Sequence, residues 1–443
     1  MNLSDGERAK KVIESMGYRW TDKEEEAQLL GILSCSVRQK AIDRVYYRIH
    51  NWNKQKNKRN LLTFVSGCIL DADKDKFLKL FDLVFPTEEM PELPDMIARY
   101  GVVTPMSKHN LDENAGIHQF WKIDPTYQSG FEAFVPIQNG CDKFCTFCAV
   151  PYTRGREVSR PSEEILEEVY KLVNSGFKSI TLLGQNVNSY GLDKKGTEIS
   201  FPELLNRIGE FGEKSQKEFW VYFTSPHPRD MTEDVLDTIV RYKCLAKMIH
   251  IPLQSGDDHV LIRMNRKYNV DRFKKIITNI RQKLPEATIF TDIIVGFPGE
   301  NEEQFENTRK VFRQIGFNMA YIATYSPRPG ATSARWENDI PLKEKKERLH
   351  ILTEDMKVYT RDYNNNYIGK VLKLLVYCAD KKDGYLSGYT EGKIGARFKS
   401  DNQSLIGKIV ELKITQATPF ALEGELIENK STSFFIHEAD YSV

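Results

Sequence analysis

The sequence predicts an α/β protein that ends in a small all-β domain, and three observations carry that reading. Between residues 131 and 330, short apolar runs alternate six times with amphipathic helical segments. From Gly369 onward the helical period gives way to short strand patterns around Gly and Asp turns. The first hundred residues hold two further strand patterns, each running into a cysteine. A chain of 443 residues is long enough for two or three domains, each burying its own core.

The elements follow in order. Leu29-Leu30-Gly31-Ile32-Leu33 before Cys35, and residues 61–65 before Gly67-Cys68, read as strands. In the central region the strand candidates are 131–137, 179–183, 219–223, 247–252, 288–295 and 319–325. Ser162 can cap a helix whose apolar residues Ile165, Leu166, Val169, Leu172 and Val173 recur at helical spacing until Gly176. A second helix carries Phe273, Ile276, Ile277, Ile280 and Leu284 and stops at Pro285. A third starts at Asn301, with Glu302 and Glu303 in its first turn, and ends near Gly316. Six such units imply a parallel sheet covered by helices, either curled or doubly wound, and periodicity does not separate the two. A helix over 343–359 leads to strand candidates 371–377, 385–389, 409–414 and 421–426, which suggest a small antiparallel barrel.

Composition narrows the function classes. The formal charge is +1, so no global field draws in nucleic acid, and RNA contacts must rely on local patches. One such patch is the run 52–59, Trp-Asn-Lys-Gln-Lys-Asn-Lys-Arg, which by default reads as a solvated loop. No apolar run approaches a membrane span, and the polar N-terminus lacks signal-peptide character, so a soluble cytoplasmic protein is expected. Seven cysteines at irregular spacing then point to metal or catalytic use rather than disulfides, with Cys244 and Cys378 expected as ordinary buried residues.

Cys141, Cys145 and Cys148, spaced C-x3-C-x2-C after a strand, carry the chemistry. Three thiolates on one loop can hold three irons of a 4Fe-4S cube and leave the fourth open. Structural zinc closes with four protein ligands, and neither a fourth cysteine nor a histidine lies on this loop.

Together with Ala149-Val150-Pro151-Tyr152-Thr153-Arg154-Gly155 and Ser159-Arg160-Pro161, this stretch resembles the radical S-adenosylmethionine (SAM) enzymes and, more narrowly, the tRNA methylthiotransferases of the MiaB type. Gly384-Tyr385-Leu386-Ser387-Gly388, Gly407-Lys408 and the segment from Ala417 to Leu426 resemble the RNA-binding TRAM domain of that family. Ser34-Cys35-Ser36-Val37-Arg38-Gln39-Lys40-Ala41 and Ser66-Gly67-Cys68 resemble the second and third cysteine motifs of its methylthiotransferase domain, with Leu33 replacing the usual Asn. The resemblance implies a flavodoxin-like α/β methylthiotransferase domain over 1–115, a radical SAM (β/α)6 partial barrel over 127–358 and a β-barrel TRAM domain over 367–430. In the family a further cysteine ends an opening strand, and Met1-Asn2-Leu3-Ser4-Asp5 enters that motif after it. A first strand and its cysteine are therefore expected upstream. Without them the auxiliary cluster has only Cys35 and Cys68.

The resemblance also implies roles. Cys141, Cys145 and Cys148 hold the SAM-binding 4Fe-4S cluster, with Phe144 and Phe147 shielding it, and Cys35 and Cys68 hold part of an auxiliary 4Fe-4S cluster. Gly184, Gln185 and Asn186 sit where related enzymes contact the SAM amino group. Ser225, Gln254 and Ser255 line the SAM and substrate cavity. Arg263, on a helix with Met264 and Arg266, is placed to pair with the SAM carboxylate, and Asp292 and Ile294 lie on the strand that packs against adenine. His227 is given no acid-base role. The implied activity is methylthiolation of N6-isopentenyladenosine at position 37 of tRNA, with SAM as radical source and methyl donor. A reductant such as flavodoxin or ferredoxin serves it, and the enzyme is expected as a monomer meeting an anticodon loop whose unstacked bases are reachable. The alternatives are methylthiolation of threonylcarbamoyladenosine tRNA or of a ribosomal-protein aspartate, and, from another class, an inactive TRAM-domain RNA-binding protein.

Overall fold

The computed structural model describes residues 1–35, 39–56, 59–99 and 116–427. Contacts divide the chain into two compact units, Met1–Thr360 and Arg361–Val443. Among the described residues no helix is long and apolar enough to cross a membrane.

The first unit opens on helix α1 (Asn2–Ser15), ended by Gly17 at φ +90°. Strand β1 (Leu29–Cys35), helix α2 (Gln39–Lys56), strand β2 (Leu62–Cys68), helix α3 (Asp71–Leu78), the two-residue strand β3 (Leu83–Val84) and helices α4 (Leu93–Arg99) and α5 (Gly116–Trp121) follow. Ile42, Val45, Ile49 and Trp52 recur every three or four positions and form the buried stripe of α2. β1 and β2 pair in parallel from Leu29↔Leu62 to Cys35↔Cys68, and β3 extends the sheet beyond β2. Gly31 admits the Phe64 ring, since a Cβ there would lie 2.0 Å from it. This register ends both strands on a cysteine, side by side. The basic run 52–59 is not a solvated loop along its described length. Trp52 is buried and donates to Glu24 Oε2 (2.9 Å), Lys56 pairs with Asp82 (2.6 Å), and Arg59 donates to the Ala27 (2.8 Å) and Glu24 (2.7 Å) carbonyls.

The central region begins with strand β4 (Glu132–Pro136), then β5 (Gln138–Asn139), helix α6 (Val150–Thr153) and β6 (Val158–Ser159). Helices α7 (Ser162–Asn174), α8 (Phe201–Ser215), α9 (Glu233–Arg241), α10 (Asp258–Arg263), α11 (Val270–Lys283) and α12 (Glu302–Ile315) alternate with strands β7 (Ser179–Leu183), β8 (Trp220–Phe223), β9 (Met248–His250), β10 (Thr288–Val295) and β11 (Met319–Thr324). The strands are parallel in two sets, β4-β7-β8 and β9-β10-β11. The sets meet at the bridge Val221↔Leu245, where Val221 N donates to Cys244 O (2.7 Å) and Ala246 N to Val221 O (3.0 Å). Spatial order follows chain order, whereas a doubly wound sheet reverses it at a switch point. No ladder joins β4 to β11 among the described residues, so the sheet curls into an open barrel. β7 and β8 are buried along their whole length, as strands covered on both faces must be.

The helix signals fare unevenly. Asn301 forms a full capping box with Gln304 at the start of α12, and Gly316 ends it in the left-handed region. Ser162 is not the cap of α7. Pro161 occupies that position, Ser162 is the first helical residue, and its N–H donates to Glu198 Oε2 (3.1 Å). Helix α13 (Leu342–Asn365) closes the region, with Leu352 and Met356 in the core. Its Arg348 donates to Glu300 Oε2 (2.7 Å), both side chains being almost fully buried, and the same oxygen accepts from Gly296 N (2.6 Å) at the exit of β10.

In the second unit, strands β12 (Val371–Ala379), β13 (Tyr385–Thr390), β14 (Gly395–Lys399), β15 (Ile409–Ala417) and β16 (Ala421–Leu426) close into a barrel of order β12-β13-β14-β16-β15. Closure removes exposed edges. The barrel is not purely antiparallel, because β14 and β16 pair in parallel. The strand pattern misses β14, where Ala396 and Phe398 are the only inward apolar residues between Gly395 and Lys399. Cys378 is exposed rather than buried, on a strand whose burial alternates only loosely.

Replacing Arg348 with Met strands the Glu300 carboxylate without its cation. The unfolding free energy from urea denaturation should fall by about 3 kcal/mol.

Candidate functional site

Cys141, Cys145 and Cys148 lie on a loop that the β5–β6 ladder closes, through the pairs Gln138↔Ser159 and Asn139↔Val158. Gly140 has φ +77°, and a Cβ there would sit 2.0 Å from Arg156 O, so only glycine lets the two sides approach. Cys141 N donates to Gly155 O (3.2 Å) and Cys148 N to Cys145 O (3.0 Å). The far side of the loop is tied to the end of α10. Thr146 N donates to Met264 O (3.1 Å), Thr146 Oγ1 to Arg263 O (2.8 Å) and Asn265 Nδ2 to Phe144 O (2.9 Å). None of the cysteines forms a disulfide.

The donor set fits an iron-sulfur cube. Three thiols lie within eight residues, and burial pushes Cys141 up to about 11 and Cys148 up to about 12, with the neighbouring cysteine thiols adding to both shifts. Among the described residues no three Cys, His, Asp or Glu side chains converge on one metal ion. A cube asks for something else, one thiolate on each of three irons. Arg266, buried, donates from Nη1 to Cys145 Sγ (3.2 Å), from Nε to Tyr268 OH (3.2 Å) and from Nη2 to Pro252 O (3.4 Å). The bond sets a buried guanidinium against the Cys145 sulfur.

Around the loop the strand-end segments carry backbone strain. Phe144 (φ 47°), Ser225 (φ 58°), Gln254 (φ 70°), Asn265 (φ 59°) and Lys267 (φ 58°) all adopt the left-handed region without being glycine. Such strain, of order 1–3 kcal/mol per residue, clusters where function fixes geometry. The same segments hold buried polar atoms without a hydrogen-bond partner: Gln138 Oε1, Glu157 Oε2, Gln185 Oε1, His227 Nε2 and Gln254 Oε1. Buried polar groups are nearly always paired.

The expected site residues separate on this geometry. Gly184 packs against Gln138 and Val187, each 3.0 Å from where a side-chain methyl would stand. Gln185 keeps a free carbonyl oxygen, but the Asn186 side chain is fully engaged. It donates to Ser189 Oγ (2.7 Å) and Asp230 Oδ2 (3.1 Å) and accepts from His227 N (3.1 Å). Gln254 splices β9 to β10, donating N–H to Asp292 O (2.8 Å) and accepting from Ile294 N (3.0 Å). Ser255 turns away, to the Thr308 hydroxyl (3.2 Å) of α12. Arg263 is packed between the Phe297 and Trp336 rings, 5.7 and 5.2 Å from their centres, and Arg266 instead is the arginine turned to the cysteines. Phe147 packs with Ile294, Met264 and Phe297, whereas Phe144 is more than a third exposed. Asp292 Oδ2 lies 2.9 Å from His250 Nε2. His227 accepts from Arg229 N at Nδ1 (3.1 Å), and burial and then Arg266 hold it neutral. Sequence reading misses Glu157, whose carboxyl burial pushes up to about 7. Its place beside the motif was visible, but its burial was not.

Cys35 and Cys68 are brought together at the ends of β1 and β2. Arg154, on the loop after the three cysteines, crosses to them. It donates from Nε to Cys68 Sγ (3.0 Å), from Nη2 to Asp5 Oδ2 (2.8 Å) and from Nη1 to Asn139 Oδ1 (3.0 Å). Ser36, Val37 and Arg38 of the second cysteine motif lie outside the described residues.

Comparison with known proteins decides the family. Residues 135–312 match the radical SAM superfamily, residues 1–85 the uncharacterized protein family UPF0004 and residues 365–427 the TRAM domain. A tRNA-2-methylthio-N(6)-dimethylallyladenosine synthase of Clostridium perfringens is 37% identical over 437 residues, covering 97% of this chain and 96% of that protein. The chain belongs to this family of radical SAM tRNA methylthiotransferases. A relative of the same name from Oceanobacillus iheyensis is 38% identical, over 97% of this chain and 82% of its own length. Among solved structures, the radical SAM methyltransferase TsrM from Kitasatospora setae matches with TM-score 0.50 and 12% identity, over 74% of this chain and 66% of that one. That likeness speaks for the fold alone.

Gly140→Ala should open the β5–β6 closure while the rest of the fold stands. Amide exchange at Cys141 and Arg160 should quicken at least tenfold, with far-UV circular dichroism unchanged.

Proposed function

We propose that the protein methylthiolates N6-isopentenyladenosine at position 37 of tRNA to its 2-methylthio derivative, with SAM as radical source and methyl donor. The observation that carries the reading is the pairing, within one compact unit, of the three-thiol loop with the adjacent Cys35 and Cys68, in a chain of this family. Cys141, Cys145 and Cys148 hold a SAM-binding 4Fe-4S cluster, and Cys35 and Cys68 contribute to an auxiliary one. When bound, the first cluster supplies the electron that cleaves the SAM sulfonium to a 5′-deoxyadenosyl radical, and the auxiliary cluster holds or supplies sulfur.

The chain's own residues do the rest. Arg266 stabilises the Cys145 thiolate. Phe147 and the Met264–Phe297 cluster keep water from the loop. The unpaired carbonyl oxygens of Gln185 and Gln254 can accept from the SAM ammonium or ribose, and Glu157 adds a carboxylate beside Cys141. His227, neutral with its proton on Nε2, is a donor rather than a base. We assign residues 1–115 to the methylthiotransferase domain, 127–358 to the radical SAM core and 367–430 to the TRAM domain, which binds tRNA. The enzyme works in the cytoplasm as a monomer with a flavodoxin or ferredoxin as electron donor.

Anaerobic reconstitution with iron and sulfide, then incubation with SAM, dithionite and isopentenylated tRNA, should yield 5′-deoxyadenosine and the 2-methylthio nucleoside by mass spectrometry. Replacing Cys141, Cys145 and Cys148 with Ala should abolish both. 5′-Deoxyadenosine without the modified nucleoside overturns the assigned substrate. Gln254→Ala should raise the SAM KM about tenfold, the equivalent of roughly 1.4 kcal/mol, with little change in iron content.

A further inference from the structure

The cysteine loop also carries exposed groups that the cluster does not use. Phe144, between Cys141 and Cys145, adopts φ 47°. For a bulky side chain that backbone is a true outlier, and Gly or Asn would hold the turn at lower cost. Asn265 pins it there, donating from Nδ2 to Phe144 O. The ring so presented is 37% exposed. Tyr152 of α6, 48% exposed, meets it edge-on with ring centres 6.4 Å apart, and the Arg156 guanidinium lies 5.2 Å from its centre. The Arg156 side chain is itself 72% exposed and is steered by Asp142 (Nε to Oδ1, 3.0 Å). Two rings and a guanidinium therefore share one open patch on the segment that holds the three thiols. Gly330, in the segment after β11, flanks the patch, since a Cβ there would lie 3.7 Å from Tyr152.

Asn265 joins this patch to a groove. With Ile262, Lys267, Tyr268, Asn269 and Arg272 it lines a depression of about 440 Å³, and the lining holds two cations and no carboxylate. Asn265 (φ 59°) and Lys267 (φ 58°) both hold left-handed backbone, and Arg272 Nη2 donates to Arg229 O (2.9 Å). An anionic chain complements such a groove, and a flat unsaturated ring complements the patch beside it. Single-stranded RNA carries both, with phosphates along its backbone and bases that stack on aromatic rings and guanidinium planes.

We propose that Phe144, Tyr152 and Arg156 form a stacking platform for an unpaired base of the substrate RNA loop, with Lys267 and Arg272 taking phosphates of the same strand. The inference rests on the tRNA reading above and deepens it. All five are positioning residues. Phe144 directly precedes Cys145, so a base held on its ring fixes where the neighbouring nucleotide stands relative to the cysteine loop.

The test uses the full chain, reconstituted with iron and sulfide, and a fluorescein-labelled isopentenylated anticodon stem-loop. Two further stem-loops carry 2-aminopurine in the loop, on one side of the target or the other. Affinity is read by anisotropy across a salt series, and stacking by 2-aminopurine fluorescence. The parent should bind and quench at least one of the two probes. Phe144→Ala should weaken binding about fivefold or more and lose the quench with iron content kept, and Phe144→Trp should restore both. Tyr152→Ala should act in the same direction and stands by itself should Phe144→Ala not fold. Lys267→Gln with Arg272→Gln should weaken binding, keep the quench and lower the slope of log Kd against log salt by about 1.4, as two phosphate contacts on a single strand require. Lost iron with an unchanged quench in the bound RNA would mark a structural role for Phe144 and overturns the inference. Parent-like affinity and quench in Phe144→Ala and Tyr152→Ala, while the parent forms the 2-methylthio nucleoside, overturn it and leave the tRNA reading standing. A parent that neither binds nor modifies the stem-loop overturns the tRNA reading and the inference with it.

Discussion

Three thiolates can share one cube only if their loop is held to a single shape, and the rest of the site depends on that constraint. The two-residue ladder between β5 and β6 supplies it, closing the segment from Gly140 to Glu157 into a ring. Gly140 is the hinge of the closure, since a side chain there would strike the Arg156 carbonyl. From this ring Cys145 meets Arg266, Thr146 meets the end of α10, and Arg154 points into the N-terminal domain. The ladder clamps only the ends of this segment, and the bonds from Cys141 N to Gly155 O and from Thr146 to the Arg263 and Met264 carbonyls fix its interior, where each free residue would keep roughly 1–2 kcal/mol of backbone freedom.

The open barrel complements the loop. Its strands run parallel in chain order, so their C-terminal ends lie on one side, where Asp230 after β8 pairs with Lys143 of the cysteine ring (2.6 Å) and Pro252 after β9 accepts from the Arg266 that also reaches Cys145. The loops after β7, β8 and β9 adopt left-handed backbone at Ser225 and Gln254 and leave the buried Gln185 and Gln254 amide oxygens and the His227 Nε2 unpaired. Both features cost stability.

The N-terminal sheet and the core meet through buried charge. Arg8 pairs with Glu168 (3.2 Å) and Arg154 with Asp5 (2.8 Å), each across the boundary between the first hundred residues and the barrel. Buried pairs of this kind give modest net stability but impose a large penalty for misalignment. They therefore fix register between the two parts, and with it the approach of the Cys35–Cys68 edge to the loop that carries Arg154.

Much of this was legible in the sequence. The C-x3-C-x2-C spacing, the six apolar runs and the strand-then-cysteine patterns depend on local periodicity, and local periodicity is written in order along the chain. The parallel register that sets Cys35 against Cys68 came only from the structure. The sequence did not separate Arg263 from Arg266, because α10 ends at Arg263 and the left-handed turn at Asn265, which sends the two side chains apart, appears only in the fold. Nor did it tell that Asn186 would be consumed by Asp230 and His227, that Ser255 would turn to Thr308, or that β14 would pair in parallel with β16. Those outcomes rest on partners forty or fifty residues away, or on closure of a barrel, and no short window holds them. By itself the sequence determined the chemistry of the chain, since thiol spacing is a covalent property. Only the tertiary structure decided which side chains serve that chemistry, because a donor's direction and its burial are set by what packs against it.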